Sequence, residues 1–253
     1  MAVRATESRS PTVARQNRDI TLIVFCREPL AGHTKTRLIP RLGAANAAEM
    51  ADAFILDALA KCRALVPGRI VIAASAPDGT ENSDYLRRAA RRFRAELIDQ
   101  GAGSLGARMA RALAPYRIGG AVLIGTDTPS LPLPLLARSL ALLGRVPVVI
   151  APSLDGGYYL VGVRGPMPEI FGSIAWGRSG VLSQTVARLR RRRIRYALGP
   201  SWYDVDRWSD VVLLAAHLER MKMRAGARMP AEPLPCPATA RVLQRLGLLR
   251  TGR

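Results

Sequence analysis

The feature that most constrains this chain is a rhythm, in which short apolar runs alternate with longer amphipathic stretches. The runs are TLIVF (21 to 25), RIVIAAS (69 to 75), AVLIGT (121 to 126) and VPVVIA (146 to 151), and each reads as a buried strand. Between them, the segment 44 to 65 sets Ala48, Ala51, Ile55, Leu59 and Cys62 at spacings of three or four, which is one face of a helix. Strand, helix, strand repetition of this kind implies an α/β fold: a single Rossmann-like, mainly parallel sheet with flanking helices. Downstream, the DGG at 155 to 157 makes a turn into YYLVGV (158 to 163), a strand expected to pair antiparallel at one side of the sheet. A helix over 178 to 193, a short strand near 194 to 198 and a final helix from about 209 to 221 complete the pattern.

The expected organisation is a disordered leader at 1 to 18, one domain over 19 to 221, and a proline-rich linker with a short C-terminal helix over 222 to 253. With 253 residues and 49% hydrophobic content, the chain is long enough for one large core. Its three cysteines, Cys26, Cys62 and Cys236, are far apart and lack CxxC spacing, so neither a disulfide framework nor a zinc cluster is indicated. No apolar run reaches the roughly 18 residues of a membrane span. A cytoplasmic protein with no membrane partner is expected. The net charge of +19 favours polyanions in general, but only three of the 38 basic residues are lysines, a bias that reads as codon usage. Aromatics make up 5% of the chain and none interleave with the basic runs, which disfavours nucleic acid as a partner.

Five segments carry candidate chemistry. The first strand runs into FCREPLAGHTKTRL (25 to 38), a loop with one proline, one glycine (Gly32) and the donors Arg27, Lys35, Thr36 and Arg37. Ligands of parallel α/β sheets bind outside the carboxyl ends of strands, so a basic loop there is placed to clamp phosphates. It is neither a Walker A loop nor GxGxxG. Asp127, in GTDTPSLP (125 to 132), sits where another strand gives way to a loop. A hard cation bridging its carboxylate and two phosphates fits that position, as does a plain helix-capping role. Asp155 lies in the DGG turn, and Asp204 and Asp206 lie in WYDVDRW, where an i, i+2 spacing turns both carboxylates to one side of an extended segment. QGAGSLGARM (100 to 109) joins a strand end to a helix beginning near Ser104, with Gln100 offering an amide to a base edge. His33 and His217 have no paired acid in sequence and read as surface or packing residues.

In this order the motifs resemble the rSAM/selenodomain-associated transferases, also described as arsenosugar-biosynthesis glycosyltransferase-like proteins. The resemblance runs from about 21 to 215 through FCREPLAGHTKTRL, QGAGSLGARM, GTDTPSLP, DGGYYLVGV, FGSIAWG (171 to 177) and DVD (204 to 206). It implies a nucleotide-diphospho-sugar transferase fold of the glycosyltransferase A type. It implies further that Arg27, Lys35 and Arg37 contact phosphates, that Gln100 and Gly106 face the base, that Asp127 and Asp206 hold Mg²⁺ or Mn²⁺, and that Asp155 faces the sugar or acceptor as base or positioner. Arg27 stands where the family usually has lysine, and RWSD follows the DVD in place of the usual TPED.

The expected function is a metal-dependent transferase that takes a nucleotide or nucleotide-sugar donor and a small-molecule acceptor. Glycosyl transfer is the first reading and nucleotidyl transfer with pyrophosphate release the alternative. A non-catalytic nucleic-acid-binding protein is the third.

Overall fold

The computed structural model describes residues 19–65, 68–166, 169–225 and 234–250, without the side chains of 222–225. The leader expected at 1 to 18 and part of the proline-rich linker lie outside the described residues. Seven strands form one sheet: β1 (Thr21–Arg27), β2 (Arg69–Ser75), β3 (Glu96–Asp99), β4 (Ala121–Gly125), β5 (Val148–Pro152), β6 (Tyr158–Val163) and β7 (Tyr196–Leu198). Their order is β3-β2-β1-β4-β6-β5-β7, and every neighbouring pair is parallel except those that involve β6. The antiparallel pairing expected after the DGG turn is present, but not at one side of the sheet. Strand β6 is inserted between β4 and β5, with Tyr159 through Val163 buried on both faces. A wholly apolar strand loses less by lying inside a sheet than at its rim, where one of its faces or edges would meet water.

The helices are α1 (Ile39–Leu42), α2 (Ala44–Ala64), α3 (Asp84–Phe93), α4 (Leu105–Leu113), α5 (Leu133–Leu143), α6 (Val181–Arg191), α7 (Trp208–Ala225) and α8 (Pro237–Arg245). Alternate residues of each strand face opposite layers. Leu22, Val24, Ile72 and Ile124 pack under Ile55 and Leu59 of α2, Leu86 of α3 and Leu136 of α5. Ile23, Val71, Leu123 and Ile150 pack on the other face under Met109 and Leu113 of α4 and Leu189 of α6. Burying each such side chain contributes about 2 kcal/mol, so both layers are needed to hold a sheet this wide.

A third cluster lies on the outer side of α2, where Met50 and Phe54 meet Leu214 and Leu218 of α7 and Leu243 of α8. Helix α8 is fastened there by a buried carboxylate. Asp57 of α2 accepts from the backbone N–H groups of Ala238 (2.9 Å) and Thr239 (2.8 Å) and from the Thr239 hydroxyl (2.6 Å). A carboxylate from another helix thus serves the free N–H groups at the start of α8. Among the described residues, no helix is long and apolar enough to cross a membrane.

Candidate active site

A cleft of about 600 Å³ opens over the carboxyl ends of β1, β4 and the strands beside them, within the range of small-ligand pockets. One wall is the loop after β1. Lys35 adopts a left-handed backbone (φ 45°, ψ 41°) just before a single 3₁₀ turn, Thr36–Leu38, whose Leu38 anchors it in the core. That bend turns the Lys35 ammonium inward, where it lies 2.6 Å from Asp127 Oδ1 and 2.9 Å from Asp206 Oδ1 and donates to the Val205 carbonyl at 2.8 Å. The Phe54 ring lies 5.1 Å beneath it. Burial alone would lower the Lys35 pKa, but Asp127 and Asp206 outweigh it and the net direction is upward, so the ammonium stays charged.

The two aspartates meet although 79 residues separate them in the chain (206 − 127). The Val205 N–H bonds to the Asp127 carbonyl at 2.8 Å, and beside the end of β5 the Leu154 N–H donates to the Trp202 carbonyl and the Trp202 N–H to the Pro152 carbonyl, at 3.1 Å each. Asp210 fixes the segment beyond: its Oδ2 accepts from the N–H groups of Asp206 (3.0 Å) and Arg207 (2.7 Å), closing the start of α7. The start of that helix is thus closed by Asp210, in the RWSD stretch that departs from the family pattern. Asp204 shares the field of these carboxylates. Its carboxyl is pushed up to about 6, first by burial and then by Asp155, Asp206 and Asp127, as the i, i+2 spacing leads one to expect of acids on one side of a segment.

The other expected residues divide. Arg27, Thr36 and Arg37 line the cleft, and Arg37 reaches Asp206 Oδ2 at 3.8 Å while remaining largely exposed. Gln100 also lines it but is buried, and both of its amide hydrogens are engaged, by the Cys26 and Ala73 carbonyls at 2.8 Å each. Its oxygen accepts from Arg108, so no N–H is left for a base and the side chain acts as a brace in the floor. Gly106 faces away from the cleft: a Cβ there would come within 2.7 Å of the Phe171 carbonyl oxygen and 2.8 Å of the Trp176 ring. The LG of one motif is therefore the seat for the FGSIAWG segment of another. Gly32 supplies a turn (φ 82°) with open space around it. Asp155 is not among the residues that line the cleft: it lies in its own turn, accepting from the Ser153 hydroxyl and from the Gly157 N–H at 2.8 Å, and its charge acts on Asp204.

Arg108, not singled out from the sequence, lies in the cleft wall between Gln100 and the Phe25 ring, 5.6 Å from the ring centroid. The signal was available, because a basic residue near the start of a helix opposes the local dipole and needs a reason to be there.

A family model described as "Uncharacterized protein conserved in bacteria (DUF2064)" matches residues 58–178, just under half the chain. No curated protein matches it. Among solved structures, a protein from Desulfovibrio desulfuricans G20, provisionally named a nucleotide-diphospho-sugar transferase, is 27% identical, with a TM-score of 0.73, over 90% of this chain and 96% of that one. The chain has the nucleotide-diphospho-sugar transferase fold. Two more distant likenesses show the same fold. A 4-diphosphocytidyl-2C-methyl-D-erythritol synthase from Anaerococcus prevotii DSM 20548 has a TM-score of 0.52 and 11% identity, over 79% of this chain and 98% of that one. A cytidylyltransferase from Leptospira borgpetersenii serovar Hardjo-bovis (strain JB197) has a TM-score of 0.50 and 12% identity, over 93% and 98%.

Proposed function

We propose that this chain is a nucleotide-dependent transferase of the rSAM/selenodomain-associated type, moving a glycosyl group from a nucleotide-diphosphate sugar to a small acceptor. The observation that carries the reading is the meeting of the basic loop 27 to 37 with Asp127 and Asp206 at one cleft over the carboxyl ends of the strands. The fold of the Desulfovibrio relative supports it.

A divalent cation fits the residues present. Asp127 and Asp206 converge on one cationic point, now taken by the Lys35 ammonium, and both line the cleft. Among the described residues no group of three or more His, Cys, Asp or Glu forms a complete cage. Two carboxylates completed by phosphate oxygens is the usual manner of Mg²⁺. Bound there, Mg²⁺ or Mn²⁺ would offset the charge that develops on the leaving diphosphate.

The remaining work belongs to the chain. Thr36 and Arg37 hold the diphosphate, and Lys35 keeps the two carboxylates in register. The acceptor oxygen forms a bond to the anomeric carbon as the bond from that carbon to the phosphate oxygen breaks, and the electron pair leaves with the nucleoside diphosphate. Asp155, whose field reaches Asp204 in the DVD segment, positions the acceptor and takes its proton.

Nucleotidyl transfer is the second reading, favoured by the surplus of guanidinium groups in the wall, since Arg27, Arg37 and Arg108 exceed what a diphosphate needs. A thermal-shift screen of nucleoside diphosphates, triphosphates and nucleotide sugars with and without Mn²⁺ tests both, followed by product analysis. Cation-dependent stabilisation by a nucleotide sugar with release of nucleoside diphosphate supports glycosyl transfer. Release of pyrophosphate replaces it with the second reading, and no response to any nucleotide ends both.

A further inference from the structure

The positive charge of the cleft is only partly where its motif places it. Lys35 is neutralised by two carboxylates at 2.6 and 2.9 Å, and Arg37 leans on Asp206. The uncompensated cations are Arg27 and Arg108. Neither makes an ion pair among the described residues, and Arg27 donates only to a carbonyl, that of His33, at 3.2 Å. Asp99, the acid whose field reaches Arg108, is already bound to the Thr80 hydroxyl and the Gly101 N–H.

Arg108 is nonetheless held in place. Its Nη2 donates to Gln100, which two carbonyls clamp in turn, and Phe25 supports the flat of the guanidinium. Its Nε is shielded from solvent without a hydrogen-bond partner. Burial lowers its pKa, and the neighbouring charges of Arg27 and Arg111 lower it further. Two guanidinium groups that line one cleft and act on each other's charge repel. An anion between them would offset that repulsion through charge-assisted hydrogen bonds from their outer N–H groups.

We propose that Arg27 and Arg108 form a seat for a phosphate group, distinct from the cation position at Asp127 and Asp206. The proposal deepens the reading of the cleft as a nucleotide site and rests on it for the identity of the substrate: the protein takes a substrate with one phosphate beyond those held at the carboxylates. That phosphate is either the third phosphate of a nucleoside triphosphate or the monoester of a phosphorylated acceptor.

The test is calorimetric titration of the full chain with pyrophosphate in the absence of divalent ions, for the wild type, Arg108→Gln, Arg27→Gln and Arg88→Gln. The last removes the same charge from an exposed position on α3. We expect about tenfold weaker binding in each of the first two variants, the scale of one charge-assisted hydrogen bond, and wild-type binding in the third. Unchanged affinity in Arg108→Gln, or an equal loss in Arg88→Gln, overturns the seat. Arg108→Lys guards against a folding defect, since it should recover part of the affinity if charge is what matters.

Two further titrations identify the source. A larger loss in Arg108→Gln for a nucleoside triphosphate than for its diphosphate assigns the seat to the donor, and a loss for glycerol phosphate alone assigns it to the acceptor. Mn²⁺-dependent nucleotide binding in the wild type separates the two claims. If it is present while Arg108→Gln binds pyrophosphate normally, the seat is wrong and the function stands. If it is absent while the Arg108 effect holds, the seat stands without that function.

Discussion

Two of the chain's three lysines approach one loop from opposite sides, and their environments are opposite in kind. Lys35 comes from the cleft, between Asp127 and Asp206, and its pKa is raised because two carboxylates overcome its burial. Lys61 comes from beneath, on α2, and donates to the Pro129 carbonyl two residues beyond Asp127. Its pKa is lowered, because burial dominates over the attractions of Cys236, Asp57 and Cys62. One ammonium is a counter-ion at the site and the other a prop under it. Elsewhere almost every cation of the chain is arginine. Lysine persists at these two points because a compact ammonium on a flexible stem can enter a space that a planar guanidinium cannot. Both depend on α2: Phe54, Asp57 and Lys61 lie along one stripe of that helix, under Lys35, against α8 and under Pro129 respectively.

The sharpest way to break the comparison is to remove the anion that both buries beside Lys61 and fastens α8. Asp57→Ala deletes three hydrogen bonds to Ala238 and Thr239 and leaves Lys61 buried with only a carbonyl. The expected loss is about 3 kcal/mol in urea unfolding, on the scale of breaking one member of a buried charged cluster. A loss below about 1 kcal/mol would mean that α8 is not held by this contact. Lys35→Met probes the opposite case. Without the ammonium, Asp127 and Asp206 face each other unneutralised, and we expect about 1 to 2 kcal/mol of destabilisation in metal-free buffer after allowing for their exposure. Mn²⁺ should restore most of this and should stabilise the variant more than the wild type. Equal Mn²⁺ shifts in the two proteins would remove the cation from Asp127 and Asp206.

Much of this architecture was legible in the sequence because strand burial leaves a plain trace. RIVIAAS and YYLVGV match β2 and β6 residue for residue. The interior place of β6 was missed because the DGG turn fixes which strand follows, not which strand it lies beside. The site was legible as a set of segments, since the basic loop, QGAGSLGARM and GTDTPSLP each begin at the carboxyl end of a strand, but the contacts within it were not. Gln100 looks free in sequence, yet the carbonyls of Cys26 and Ala73 need its amide where β1 and β2 end. Asp57 and Lys61 interrupt the buried side of α2, a sign that polar partners must exist. Those partners, Thr239 and Pro129, are far along the chain and no local spacing reveals them.

Lys61→Met should cost less than either change above, about 1 kcal/mol, because a side chain of similar volume replaces a charge that is itself unfavourable to bury, while one bond to Pro129 is lost. Its signature is in pH. The folded pKa of Lys61 lies below the unfolded value of 10.5, so between the two the unfolded chain binds more protons and wild-type stability rises with pH from this group. Urea midpoints followed upward toward that value should show the rise in the wild type and its absence in Lys61→Met. Parallel curves would mean that Lys61 is no more buried in effect than an ordinary surface lysine.

The smallest effect concerns the carboxylate that neither lysine pairs with. Asp204 is pushed up from 3.8 to about 6, so in that window the folded protein holds a proton that the unfolded chain has released. The stability it contributes is fully present below 3.8 and is lost as pH rises through about 6. Asp204→Asn keeps a neutral side chain at every pH, so the metal-free variant should gain in thermal midpoint over the wild type as pH climbs from 3.8 through about 6, hold that gain above, and converge with the wild type in acid. Because Asp204 is half-buried and solvent screens its neighbours, the gain should be a degree or two at most. A constant difference at all pH values would trace the effect to lost packing or hydrogen bonding. A gain confined to the upper range would show that burial, with the fields of Asp155, Asp206 and Asp127 added to it, makes the Asp204 charge costly in the fold.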